Sequence, residues 1–247
     1  MSKLLDRMQL IADGLNKFED VICLLGLGSL YETDRLDDYS DLDFFLIVKN
    51  GCKDKFIKDL SWLSNIPVTY LFKNTPDGYK FFYEDGIYGE FAVFSEEEIS
   101  KAHYNKGKIF YLKEGYDPIL LKTENEPKPK TVYIDYNMNE ALTNIYVGLT
   151  RLKRGEVSSA TTFIQTYAYN NILEIIDTIF PKEEGFKDLY VNERRIEFRH
   201  SNIFQILSNM KQGYLKNKES AGFIIDFINE NLSPNIFIIN QIKKLLD

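Results

Sequence analysis

Apolar residues near the start of the chain recur at steps of four and three: Leu4, Met8, Ile11, Leu15 and Phe18. That spacing is the stripe of an amphipathic helix, predicted over 3–18. Val21 to Leu25 and Phe44 to Val48 are short unbroken apolar runs, the pattern of strands buried on both faces. Gly51 closes the second run, and Lys53 to Leu63 reads as helical. Three β-rich stretches follow, Ile66 to Phe72, Tyr79 to Tyr83 and Ile87 to Phe94, separated by the turn signals Thr75-Pro76-Asp77-Gly78 and Asp85-Gly86. Ser95 with Glu98 forms a capping box that predicts a short helix from Glu96. A last strand is expected at Ile119 to Lys122.

The pattern then changes. Glu124-Asn125-Glu126-Pro127-Lys128-Pro129-Lys130 is charged, punctuated by proline and without periodicity, so a boundary is expected there. Beyond it the helical period dominates, through Met138, Leu142, Ile145, Leu149 and Leu152, then Ala160, Ile164, Tyr167, Asn171 and Ile175. Pro181 is expected to stop that helix. Ser233-Pro234 reads as an N-cap with proline at the first helical position, opening a terminal helix through Leu246. The expected fold class is α+β: a mixed β-sheet flanked by helices over 1–126, then a helical bundle over 131–247.

Composition narrows the chemistry. Among 247 residues, 30 Lys and Arg against 37 Asp and Glu give a net charge of −7, the wrong balance for tracking phosphates along a nucleic acid. Two histidines, His103 and His200, starve most histidine-dependent catalysis and metal sites. Cys23 and Cys52 make neither a disulfide framework nor a zinc site. No apolar run approaches the ~18–20 residues that span a bilayer, and the first ten residues lack the pattern of a secretory signal. A cytoplasmic protein acting through carboxylates, without membrane or nucleic acid as partner, is the expectation.

The carboxylates that matter lie in Gly28-Ser29-Leu30-Tyr31-Glu32-Thr33-Asp34-Arg35-Leu36-Asp37-Asp38-Tyr39-Ser40-Asp41-Leu42-Asp43-Phe44. A buried strand ends in a Gly-Ser turn, and Asp41 and Asp43 open the next strand. Residues two apart on a strand point the same way, about 6–7 Å apart, so the pair can bracket a divalent cation. Mg²⁺ commonly takes one or two carboxylates plus substrate phosphates, and glycine lets backbone N–H groups approach a phosphate closely. Either half of the pattern alone would be an ordinary turn or a solvated strand end. Glu90 lies in the apolar run Ile87 to Phe94, where an unpaired carboxylate is costly to bury. It either faces water from an edge strand, or faces the aspartates as a third metal ligand or general base.

Gly28-Ser29, Ser40-Asp41-Leu42-Asp43-Phe44 and Glu90 together resemble the nucleotidyltransferase superfamily of the DNA polymerase β type. Within it the likeness is to the two-domain lincosamide and aminoglycoside antibiotic nucleotidyltransferases, and it extends to Gly89-Glu90-Phe91, Phe94-Ser95-Glu96 and Leu152-Lys153-Arg154-Gly155-Glu156. It covers the first half fairly well and the helical half thinly. The resemblance implies Mg²⁺, an NTP (ATP foremost) as co-substrate, and transfer of a nucleoside monophosphate to a drug hydroxyl with release of pyrophosphate. It implies Gly28 and Ser29 as triphosphate contacts, Asp41 and Asp43 as metal ligands, and Glu90 as the base or a third metal carboxylate. The helical half would close over a neutral or cationic small-molecule acceptor, and a homodimer is compatible with it. Two features depart from the family. The loop after Ser29 lacks the usual small residue and glycine, and Glu32, Asp34, Asp37 and Asp38 bring negative charge towards a triphosphate with only Arg35 to offset it. The rival from another class is therefore a nucleotidyltransferase-fold binding module, antitoxin-like, that has lost turnover.

Weaker signals remain. Lys153 and Arg154 either reach a triphosphate or are surface cations near a helix C-terminus. Arg195-Ile196-Glu197-Phe198-Arg199-His200 has the Arg-x4-His spacing of some helical ribonuclease-like domains but reads better as a solvated charged helix. Tyr167, Tyr169, Phe81 and Phe82 are candidates for an acceptor pocket or for core, and His103 reads as a surface residue.

Overall fold

The computed structural model describes residues 2–63, 66–180 and 187–247, and the chain divides into two compact units, Met1–Pro127 and Lys128–Asp247. The division falls inside the proline-punctuated segment.

The first unit is a six-stranded mixed sheet with short helices. Helix α1 (Lys3–Leu15) is capped by Ser2, whose hydroxyl accepts from the Leu4 N–H. Strand β1 (Val21–Gly26) is wholly buried, and β2 (Leu42–Val48) pairs with it antiparallel. Helix α2 (Lys53–Lys58) ends five residues before the expected Leu63. The cause is local: Asp59 turns extended and its carboxylate accepts the Ser61 N–H at 2.9 Å. Trp62 then folds back, its indole N–H donating to the Phe56 carbonyl at 2.9 Å.

Strands β3 (Val68–Thr75), β4 (Gly78–Tyr83) and β5 (Tyr88–Ser95) form an antiparallel meander, and β5 joins β2 in parallel. Helix α3 (Glu96–Ile99) starts at the capping box, with the Ser95 N–H donating to Glu98 Oε2 at 2.9 Å. A strand that the apolar pattern did not announce, β6 (Lys108–Leu112), pairs antiparallel with β1 and forms one edge. The strand expected at Ile119 to Lys122 is instead a tight 3₁₀ turn, Pro118–Leu121, because the Asp117 carboxylate caps the Ile119 N–H at 2.9 Å and Pro118 presets φ. The strand order is β3-β4-β5-β2-β1-β6. One face packs Leu24, Phe44, Leu46, Phe81 and Phe91 against Met8, Ile11 and Leu15 of α1. The opposite face carries a smaller core of Ile22, Leu25, Ile47, Ile99 and Tyr104.

The second unit is helical. Helix α4 (Ile134–Lys153) ends at Arg154, followed by Gly155 at φ +80°. Helices α5 (Val157–Thr162) and α6 (Tyr169–Ile179) are joined by one π-helical segment, Phe163–Ala168. That widened turn carries Gln165, whose buried amide bonds the Gly213 N–H and carbonyl and the Asn217 side chain, each within 2.8 Å. Helix α6 ends at Ile179 with Phe180 extended; the expected stop at Pro181 lies outside the described residues. Helices α7 (Ile196–Arg199), α8 (Ile203–Met210), α9 (Asn217–Asn231) and α10 (Ile236–Leu246) complete the unit around Leu142, Ile145, Ile172, Ile176, Ile224 and Ile228. The terminal helix starts two residues later than Pro234, because Asn235 rather than Ser233 caps it, accepting the Phe237 N–H at 2.8 Å. No described helix is long and apolar enough to cross a membrane.

Candidate active site

The parallel pairing of β2 with β5 decides the geometry. Asp43 and Glu90 are register partners, so their side chains leave the same face of adjacent strands, whose axes lie about 4.8 Å apart. The neighbouring residues Phe44 and Phe91 point the other way and stack in the larger core, ring centroids 5.6 Å apart. That packing fixes which face the carboxylates take, since a slip by one residue would bury both. Glu90 leaves an interior strand on the face that carries Asp43; it does not look out from an edge. Gly89 fits the same logic: a Cβ there would come within 2.6 Å of the Phe81 ring.

The Gly-Ser turn closes the other side. Gly28 sits at φ +54°, in the left-handed region, and an added Cβ would lie 3.7 Å from Asp43 Oδ2. There is room for that atom, so the backbone angle is what calls for glycine. The Leu27 N–H donates to the Asp43 carbonyl at 2.7 Å, tying the turn to the strand. Ser29 is half-buried in a 3₁₀ turn, Gly28–Leu30, anchored by fully buried Leu30. Asp41 precedes β2 and is half-buried.

Three residues at this site escaped the motif. Glu90 Oε1 accepts from Asn74 Nδ2 at 2.6 Å, and Glu90 Oε2 pairs with Lys80 Nζ at 3.4 Å. Tyr88 stands in the row beside them. Lys80, Glu90 and Asp43 thus line up across β4, β5 and β2, a ladder of opposite charges on one face. The charge of Glu90 raises the Lys80 pKa, with Tyr88 and Asp43 adding to it. Burial raises the Tyr88 pKa; Lys80 opposes this, while Glu90, Asp41 and Asp43 reinforce it. The signal for Lys80 lay in the hairpin: counting five residues either way from Asp85 pairs Lys80 with Glu90.

The acidic loop is largely occupied with itself. Glu32 is ion-paired with Arg35. The Asp37 carboxylate accepts the Tyr39 N–H at 2.9 Å and the Ser40 hydroxyl at 3.1 Å. Asp34 and Asp38 are exposed. Among the described residues, no three His, Cys, Asp or Glu side chains form a group able to hold a metal ion by themselves. Asp43 and Glu90 nevertheless offer hard oxygen donors in register, which fits a cation that draws its remaining ligands from phosphate and water.

Arg154 belongs to the second unit, exposed at the end of α4 beside exposed Lys153. Phe81 and Tyr169 are core residues, whereas Phe82 and Tyr167 are exposed. His103 is exposed. The solvated charged helix expected at 195–200 is corrected in part: Glu197 and Phe198 are exposed, but Arg199 and His200 are buried. His200 Nε2 lies 2.9 Å from Asp177 Oδ1, and Arg199 lies 3.6 Å from the same oxygen.

No protein-family model matches the chain, and no curated protein matches it. Among solved structures, it is similar to an aminoglycoside 6-adenyltransferase from Bacillus subtilis, at 13% identity and TM-score 0.37, over 100% of this chain and 92% of that one. It is also similar to a nucleotidyltransferase-like protein from Exiguobacterium sibiricum, at 9% identity and TM-score 0.34, over 98% of this chain and 74% of that one. A spectinomycin adenyltransferase from Enterococcus faecialis, with ATP and spectinomycin, is similar at 12% identity and TM-score 0.28, over 99% of this chain and 98% of that one. At such scores the chemistry has to come from this chain's own residues.

Proposed function

We propose that this chain transfers a nucleoside monophosphate from an NTP, ATP foremost, to a hydroxyl of a small-molecule antibiotic of the lincosamide or aminoglycoside kind, releasing pyrophosphate. The observation that carries the reading is Asp43 in register with Glu90 across parallel strands, its carboxylate against the left-handed Gly28 turn. A turn that admits phosphate beside paired carboxylates is the minimal apparatus for this transfer.

In this reading Asp43 and Glu90 would hold Mg²⁺ together with substrate phosphate and water, and the ion when bound would neutralise and orient the triphosphate. Gly28 and Ser29 contact the triphosphate from the turn. Glu90 accepts the proton of the acceptor hydroxyl. Asn74 and Lys80 engage one oxygen each and orient the carboxylate, while each oxygen keeps a second lone pair for the incoming proton. The hydroxyl oxygen bonds to the α-phosphorus as the bond to pyrophosphate breaks.

The test is incubation with each NTP, Mg²⁺ and a panel of lincosamides and aminoglycosides, with products read by mass spectrometry. A nucleotide adduct made by the wild type and lost in Glu90→Gln and Asp43→Asn supports the assignment. A folded protein that makes no adduct with any NTP and binds none overturns it. A binding module without turnover is the second reading. It is favoured by the lack of a three-residue metal group among the described residues and by Lys80 already engaging Glu90. Triphosphate binding without adduct in the same assay is its signature.

A further inference from the structure

Next to the Lys80–Glu90–Asp43 row, on the same face of the sheet, runs a row of aromatic side chains. Tyr70 pairs with Phe82 across β3 and β4, and Phe82 with Tyr88 across β4 and β5. The rings are contiguous, with centroids 6.2 Å and 4.9 Å apart. Phe72 lies opposite Lys80. Tyr70 and Phe72 are each 52% exposed and Phe82 is 40% exposed. Two residues along a strand is about 6–7 Å, so the shelf begins one strand repeat from Glu90. Tyr70 and Phe82, with half-buried Tyr88 beside them, leave large rings in water and forgo the burial that would stabilise them. A contiguous exposed apolar patch of this kind marks a binding surface.

Tyr88, at one end of the shelf, also lines a cleft of about 620 Å³ together with Asp41, Asp37, Asp38, Asp85 and Lys3. Asp85 is already matched by Arg7 at 2.7 Å and Lys3 at 3.4 Å. Asp37, Asp38 and Asp41 leave the wall negative. Aromatic faces also attract cations, so shelf and wall favour the same ligand: a compact ring bearing an amine.

We infer that Tyr70, Phe82 and Tyr88 form the acceptor subsite, stacking a saccharide-like or cyclitol-like ring whose amine faces Asp41 and whose hydroxyl is presented to Glu90. The inference deepens the transferase reading and rests on it. It also gives the acidic loop a role: its carboxylates wall the acceptor cleft, so they need not crowd the triphosphate at the Gly28 turn.

The test separates the two claims. Binding of kanamycin, spectinomycin and lincomycin is measured by calorimetry without nucleotide, with raffinose as an uncharged ring control; MgATP binding is measured separately. At least one ring amine should bind the wild type and raffinose should not. Phe82→Ser and Tyr70→Ser should weaken that binding at least tenfold while MgATP affinity stays within twofold. Because both side chains are exposed, circular dichroism should match the wild type. The inference is overturned if no ring amine binds a wild type that binds MgATP, or if neither variant changes the ring-amine affinity. It is likewise overturned if light scattering shows that the variants dissolve a dimer while ring-amine binding is unchanged, which would make the shelf a contact between copies. Failure of MgATP to bind counts against the transferase reading alone.

Discussion

Around Asp43 the charges are half-exposed and loosely held, with Lys80 3.4 Å from Glu90 and both about 40% exposed. Around Asp177 they are buried and close: Lys187 lies at 2.8 Å and His200 at 2.9 Å, with the Asp177, Arg199 and His200 side chains each 6% exposed or less. Burial would raise the Asp177 pKa, but the hydrogen bonds from Lys187 and His200, with the charges of Lys187 and Arg199, hold it at about 2. The residue types are similar and the roles differ. Half-exposed carboxylates can take up a ligand at little cost to the fold. Buried ones have to be matched internally, and removing one partner strands the others. Arg199 shows how tight that balance is, since its buried Nε has no hydrogen-bond partner among the described residues.

Substitutions should separate the two clusters. Asp43→Asn should reduce nucleotidyl transfer at least ~1,000-fold, equivalent to about 4 kcal/mol of transition-state stabilisation, while leaving the urea midpoint unchanged. Pyrophosphate release and a denaturation curve on the same sample test this, and a lowered midpoint would make Asp43 structural. Asp177→Ala should do the reverse, costing about 3 kcal/mol of stability, with the transfer rate per folded molecule retained. A smaller, reversible version follows from acid. The Asp177 pKa lies below its ordinary value of 3.8, so its contribution is complete above about pH 4 and is lost as pH falls towards about 2. Urea midpoints measured across that window should fall further for the wild type than for Asp177→Asn. Equal slopes would show that the pairing does not contribute. The least effect is expected at Ser95, the end of the strand that carries Glu90. Ser95→Ala removes one half of the capping box and should cost about 1 kcal/mol, with transfer activity unaffected.

Much of this was legible in the chain. Buried strands 21–25 and 44–48 announce themselves as apolar runs because both faces of a central strand meet core. The Ser95–Glu98 capping box is local chemistry and needs no distant partner. Other features depended on contacts far along the chain. Lys108–Leu112 becomes a strand by pairing with β1, which no local period records. Arg199 and His200 look solvated until Asp177, more than twenty residues earlier, comes beside them.

For the candidate site the division is the same. The sequence by itself determined the Gly28-Ser29 turn, the buried strand that carries Asp43 and the strand that carries Glu90, because turn chemistry and the two-residue strand period are local properties. Only the tertiary structure decided that β5 lies parallel to β2 with Glu90 beside Asp43, and that the aromatic row falls on the same face. Strand order and register are set by which apolar side chains pack together, and that choice is made across the whole sheet at once.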